Sequence, residues 1–213
     1  MVQAIAVKIV VVSDTHGRHR ELGSLSGDVL IHCGDVFNAF EENADEMAEL
    51  DTWFGLQRFA RIFCIGGNHD YTLQALAARA DRPLRNAEYL EDRGLEYRGT
   101  RFYGSPWTPE LEGWAYYLPD GDLESRWASI PDDTDVLITH TPPYSVLDRN
   151  SSGKRCGCHH LRERVDRIRP ALHCFGHVHA SAGIYRDGRT TFANASMVNS
   201  QYEIARSPLE FEL

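Results

Sequence analysis

The chain has 213 residues, 42% hydrophobic and 25% charged, an ordinary composition for a folded protein large enough to bury a substantial core. No apolar run approaches the roughly 20 residues that a membrane-spanning helix needs, so no membrane partner is expected. The formal charge of −9 disfavours a broad face for extended nucleic acid, although two divalent cations would offset about four of those charges.

In chain order, residues 4–12 read as a buried strand rather than a secretory signal, because Lys8 interrupts the apolar run and no small-residue cleavage site follows. A cytoplasmic location is expected on that basis. This strand ends on Ser13-Asp14-Thr15-His16-Gly17, and a second, residues 28–32, ends on Cys33-Gly34-Asp35. Residues 41–54 suit a helix, with Glu41, Glu42 and Asp45 favouring its N-terminal dipole. A third strand, residues 61–65, leads into Gly66-Gly67-Asn68-His69-Asp70 and then a helix over 71–80. Residues 95–97 and 100–103 flank Arg98-Gly99 as a hairpin. A helix over 123–129 precedes a strand at 136–139, which ends on His140-Thr141-Pro142-Pro143. A helix over 158–168 precedes a strand at 171–175, which ends on Gly176-His177-Val178-His179. Residues 182–185 and 190–193 form a second hairpin about Asp187-Gly188. Strands alternating with helices, plus hairpins, predict an α/β class. Two sheets pack together with helices outside, in a single domain over 1–213.

Each strong polar cluster follows a strand, where loops converge on one cavity. Aspartate oxygen and histidine nitrogen suit borderline divalent metals. Asp14 and His16 alternate as they would in an extended segment, pointing the same way, and His177 and His179 repeat that spacing. Each motif alone is common; five in order after five strands are not. The remaining polar residues take plainer readings. His32 and His173 are packed inside strands, and His19 lies on the surface. Arg162, Arg164, Arg167 and Arg169 form a solvated helix face. Cys33, Cys64 and Cys174 are reduced core thiols. Cys156-Gly-Cys158-His159-His160 lacks the second ligand pair of a structural zinc site and reads as a loop near the active site, with His159 and His160 as candidates to border the substrate. Trp107, Trp114, Tyr116 and Tyr117 are packing residues, with one ring as a candidate to stack on a nucleobase.

Asp14-x-His16, Gly34-Asp35, Gly67-Asn68-His69-Asp70, His140 and Gly176-His177-x-His179 resemble the calcineurin-like metallophosphoesterase signature over residues 13–179. Ser105-Pro106-Trp107, Thr139-His140-Thr141-Pro142-Pro143, Gly157-Cys158 and Asn194-Ala195-Ser196 are similar to the metallophosphoesterase-domain-containing subfamily first noted in vertebrate brain. Asp70 stands where that subfamily often has Glu. Both His177 and His179 are present, whereas some vertebrate members lack one. The resemblance implies a four-layer αββα sandwich of two mixed sheets flanked by helices. It implies that Asp14, His16 and His179 hold one divalent ion, that Asn68, His140 and His177 hold another, and that Asp35 bridges them. His69 would face the phosphate and act as the acid in hydroxide attack on phosphorus. The implied cofactors are two ions, manganese first, with Fe, Zn, Co, Ni or Mg as alternatives. The implied substrate is a small phosphodiester or nucleotide, 2′,3′- or 3′,5′-cyclic nucleotides first. The same centre would serve a phosphomonoesterase or a nuclease, and a catalytically silent nucleotide-binding scaffold is the non-enzyme alternative. The oligomeric state is left open.

Overall fold

The computed structural model describes residues 6–38, 44–79 and 83–213. The first sheet contains β1 (Lys8–Val12), β2 (Val29–His32), β3 (Arg61–Cys64), the two-residue β4 (Glu88–Tyr89) and β11 (Leu209–Glu212), in the order β11-β1-β2-β3-β4. Only β11 runs antiparallel to its neighbour. The second contains β5 (Arg93–Tyr97), β6 (Thr100–Ser105), β7 (Val136–Thr139), β8 (Leu172–Phe175), β9 (Gly183–Asp187) and β10 (Thr190–Asn194), in the order β5-β6-β7-β8-β10-β9. Its four central strands are parallel and its two edges antiparallel. Among the described residues, four α-helices complete the fold: α1 (Ala44–Leu56), α2 (Tyr71–Ala77), α3 (Asp120–Ala128) and α4 (His159–Ile168).

Alternation along the strands sorts these elements into layers. Ile9, Val11, Val29, Ile31 and Phe63 face Phe102, Val136, Ile138, Leu172 and Ala193 of the other sheet. Their neighbours Val10, Val12, Leu30 and Ile62 face Leu50, Trp53, Phe54 and Leu73 of α1 and α2. On the opposite side, Tyr103, Leu137 and Phe192 face Leu123 and Trp127 of α3 and Leu161, Val165 and Ile168 of α4. The result is the expected αββα sandwich, with central strands such as β2, β7 and β8 buried on both faces and therefore mostly apolar. Among the described residues no helix is long and apolar enough to cross a membrane.

Both hairpins form. Arg98 and Gly99 have φ of 50° and 81°, the positive pair that a two-residue turn between twisted strands requires. In the second, Asp187 pairs with Thr190, so the strands run further into the turn than expected and Gly188-Arg189 alone reverses the chain. α3 begins earlier than expected, immediately after Pro119, with Asp120 and Asp122 in its first turn. The expected starts of the first strand (residues 4–5) and first helix (41–43), and the expected end of the second helix (residue 80), lie outside the described residues. β4 and β11 have no counterpart in the sequence reading. β4 is two residues long, and β11 is half exposed.

The parallel strands bring five loops to one edge of the sandwich. There the sheets are tied together: Ser13 and Ser196, beyond β1 and β10, form a parallel bridge, and Met197 N–H donates to Ser13 O at 2.9 Å.

Candidate metal centre

All seven residues expected to hold metal, and His69, converge on that edge. The convergence does not arise as the sequence spacing suggested. Asp14, His16, Asp35 and His177 have φ of 53°, 44°, 52° and 67°. They lie in the left-handed region, which costs an L-residue roughly 1–2 kcal/mol and which Asp, Asn and His tolerate best. The expectation that Asp14 and His16 alternate along an extended strand is therefore corrected. β1 ends at Val12, and tight turns aim both side chains inward. His179 likewise opens a 3-10 turn rather than continuing a strand.

The donor atoms converge closely on one another. His140 Nδ1 donates to Cys33 O at 2.8 Å, which directs Nε2 at Asn68 Oδ1, 3.1 Å away, and at Asp35 Oδ2, 3.3 Å away. His16 Nδ1 donates to Phe37 O at 3.1 Å. Its Nε2 faces His179 Nε2 at 3.3 Å and Asp35 Oδ2 at 3.9 Å. His179 Nε2 is 3.4 Å from Asp14 Oδ1. Three overlapping groups result, Asp14/His16/His179, His16/Asp35/His69 and Asp35/His140/His177, each with ligand atoms within 4.8 Å of one another. Asn68 extends the last of them.

Such an arrangement demands positive charge. Burial works to raise the Asp14 carboxyl, but the hydrogen bond and charge of His179 reverse this and hold it well below the usual carboxylate range. Asp35 is likewise lowered: burial opposes its charged form, and His140 chiefly outweighs that. Burial also opposes charge on His140, yet the Asp35 carboxylate pushes it up to about 9. A buried pair of carboxylates ringed by fixed imidazole and amide donors fits divalent ions, and the clustered groups are able to bind them.

Supporting residues fix these donors. Ser196 Oγ donates to Asp14 Oδ2 at 2.7 Å, and the His177 N–H donates to the same carboxylate at 3.0 Å. Asp70 accepts the N–H groups of Gly67 (2.7 Å) and Phe37 (3.1 Å), joining the loops that carry Asn68 and Asp35. Its role is structural anchorage, which a carboxylate fulfils. Gly176 passes so close to the β1 loop that a Cβ would lie 2.0 Å from Ser13 Oγ and 2.1 Å from Asp14 Oδ2. Gly176→Ala is expected to displace Asp14, lowering metal content by elemental analysis and lowering turnover about a hundredfold, the effect of a misplacement near 1 Å. Unchanged metal content would contradict this geometry.

His32 and His173 are packed inside their sheets, as expected, and each steadies a ligand loop. Thr139 Oγ1 donates to Thr141 O at 2.8 Å and so accepts from His173 Nε2 at 2.9 Å. His32 Nε2 lies 3.0 Å from Thr15 Oγ1, between Asp14 and His16. Among the described residues, both Nδ1 atoms are buried without a partner. Burial pushes both rings down to about 3. Because the folded values lie below the unfolded one, the unfolded chain takes up protons first as pH falls. Their contribution is complete above about pH 6.5 and declines toward pH 3, by up to about 1.4 kcal/mol per pH unit for each ring. Urea unfolding of His173→Gln between pH 6 and 4 should show a shallower loss of stability than wild type. An identical slope would contradict the assignment.

The expected exposure of His19 and of the whole arginine set is corrected by the packing. His19 is not a surface residue: it is 2% exposed and packs on Trp53 at 5.3 Å. The Arg164 side chain is 10% exposed and donates to Ile130 O and Asp132, so only part of the arginine set is solvated. His159 stacks on Tyr144 at 3.6 Å and His160 pairs with Asp120 at 3.2 Å. Of that segment it is Cys156 that lines the cavity beside the donor cluster. Cys158 is buried under Trp127. Cys33, Cys64 and Cys174 are buried free thiols. Trp107 and Tyr116 are buried packing residues, whereas Trp114 lies 4.9 Å from His69. Tyr202, absent from the sequence reading, is 4.8 Å from His16. It sits in no motif, and only its place in the fold reveals it.

Strand-end donors on a double-sheet sandwich have counterparts in known proteins. The calcineurin-like phosphoesterase profile matches residues 7–181. The chain belongs to the calcineurin-like phosphoesterase family. It is similar to human metallophosphoesterase domain-containing protein 1, with 36% identity over 234 residues, covering 97% of this chain and 71% of that one. A UPF0046 protein of Caenorhabditis elegans is 35% identical over 222 residues, covering 96% and 74%. Among solved structures, the fold is similar to that of phosphopantetheinyl hydrolase from Mycobacterium tuberculosis, with a TM-score of 0.63 at 17% identity, covering 94% and 92% of the two chains. This family member carries the metal-capable donor cluster at the edge where its ligand loops meet.

Proposed function

We propose that this calcineurin-like phosphoesterase is a binuclear phosphodiesterase of small organic diesters, with 2′,3′- and 3′,5′-cyclic nucleotides as first candidates. The observation that carries the reading is the overlap of the three donor groups on Asp35 and His16, beside a cavity of about 580 Å3. That volume suits one small ligand. Asp14, His16 and His179 would hold one ion, Asn68, His140 and His177 the other, with Asp35 between them and manganese the first metal to test. When bound, such a pair supplies Lewis-acid stabilisation of phosphoryl oxygens and makes a water-derived nucleophile available near neutral pH.

The chain's own residues do the remaining work. His69 lines the cavity with Nε2 4.0 Å from Asp35 Oδ2, and its own backbone N–H donates to Asp35 Oδ1 at 2.9 Å. Protonated, it donates to the leaving alkoxide. Trp114 packs against its ring. Arg206 also lines the cavity, but its guanidinium is committed to the carbonyls of Ser196, Val198 and His179. It supports His179 rather than gripping phosphate. The test is parallel assay of bis-p-nitrophenyl phosphate, p-nitrophenyl phosphate and 2′,3′-cyclic AMP with Mn, Ni, Co, Zn and Mg. Diester hydrolysis exceeding monoester hydrolysis is expected; the reverse order would make it a monoesterase. A loaded protein inert on all three would favour the scaffold reading.

A further inference from the structure

Tyr202 adopts φ 59°, a left-handed conformation that is a genuine outlier for a bulky side chain. A network centred on Asn199 enforces it. Asn199 Oδ1 accepts the N–H groups of Gln201 and Glu203 at 2.9 and 3.0 Å. Asn199 N–H donates to Glu203 O at 2.9 Å, and Tyr202 N–H donates to Asn199 O at 3.1 Å. A bridge between Val198 and Ile204 closes the loop. The backbone so held stands the Tyr202 ring edge-on to His16 at 4.8 Å and His179 at 5.6 Å, and further from His69, at 6.4 Å.

A ring placed only for packing would be buried and unstrained. Tyr202 is 40% exposed and lines the cavity. Its hydroxyl makes no hydrogen bond to the described residues. The ring thus lies nearer to the Asp14/His16/His179 group than to His69, whose own ring packs on Trp114 at 4.9 Å.

We propose that Tyr202 is a specificity-determining residue: its exposed ring packs against the planar group that stays on phosphorus, so that diesters retaining an aryl or nucleobase-bearing group are preferred over those retaining an alkyl group. The inference rests on the phosphodiesterase reading above and names the substrate feature which that site selects. Polarisable planar groups are what an exposed aromatic wall recognises without sequence-like hydrogen bonding.

Two diesters with the same p-nitrophenolate leaving group separate the effects: bis-p-nitrophenyl phosphate retains an aryl group and methyl p-nitrophenyl phosphate retains a methyl. For the metal-loaded protein, Tyr202→Asn should lower kcat/KM on the first by about ten- to thirtyfold, the scale of one lost stacking contact, mostly through KM. The methyl ester should change little, and Tyr202→Phe should keep the preference. Because Asn accepts a left-handed backbone, Tyr202→Asn should keep its metals and melt no lower than wild type. Equal losses on both esters, lost metal or a lowered Tm would give Tyr202 a structural role and overturn the proposal. A wild type inert on both esters would refute the phosphodiesterase reading instead. Calorimetry on the loaded protein with phenyl phosphate and methyl phosphate then decides: Tyr202→Asn should weaken only the phenyl ligand, and equal weakening, or none, would overturn the proposal.

Discussion

Asp35→Asn is expected to strip metal from both groups and to lower phosphodiester turnover about a thousandfold or more, which a loss of ~4 kcal/mol of transition-state stabilisation already produces. The reason lies in how the donors are shared. Asp35 Oδ2 is 3.3 Å from His140 and 3.9 Å from His16, residues of separate groups. Removing its charge leaves buried imidazoles facing one another without the anion that draws cations between them. Asparagine keeps the acceptor for the His69 N–H, so the loop is preserved and the charge is tested by itself. The measurements are elemental analysis and turnover on the same preparation, with thermal unfolding to show that the fold survives. Undiminished activity, or loss of one ion while the other is retained at full occupancy, would contradict the bridging role.

His69→Gln should act differently, lowering kcat about 10²- to 10⁴-fold as the loss of a general acid does, with metal content intact. Geometry makes this a sharp test, because His69, His16 and Asp35 have ligand atoms within 4.8 Å of one another, so a ligand role would also satisfy the distances. What separates the roles is the leaving group. A p-nitrophenolate leaves without a proton, whereas the alkoxide of a cyclic nucleotide needs one. The variant should therefore lose far less activity on bis-p-nitrophenyl phosphate than on 2′,3′-cyclic AMP. Equal losses accompanied by metal depletion would make His69 a ligand.

The sequence shows the site well because parallel strands deliver their C-terminal loops to one edge, and each such loop here carries a chemically distinctive cluster. Asp14, Asp35, Asn68, His140 and His177 could be placed together on that basis. Their aim could not. It depends on left-handed turns at Asp14, His16, Asp35 and His177, which a period-2 reading of the spacing misses. Long-range packing hid more. His19 reads as a surface residue because it is polar and local, yet α1 covers it with Trp53. Ser196 and Tyr202 reach the site only because β10 lies beside β8 and the chain then crosses to Ser13. β11 is hidden from the sequence because half of its residues face solvent, so its short run lacks a clear apolar signal.

Metal dependence is the most direct test of a two-ion centre in this chain. Metal-free protein, prepared by chelation, should be inactive on bis-p-nitrophenyl phosphate, and stepwise addition of Mn should restore activity to a plateau near two equivalents per chain, as a two-ion centre requires. Full activity in the chelated protein, or a plateau at one equivalent, would contradict it.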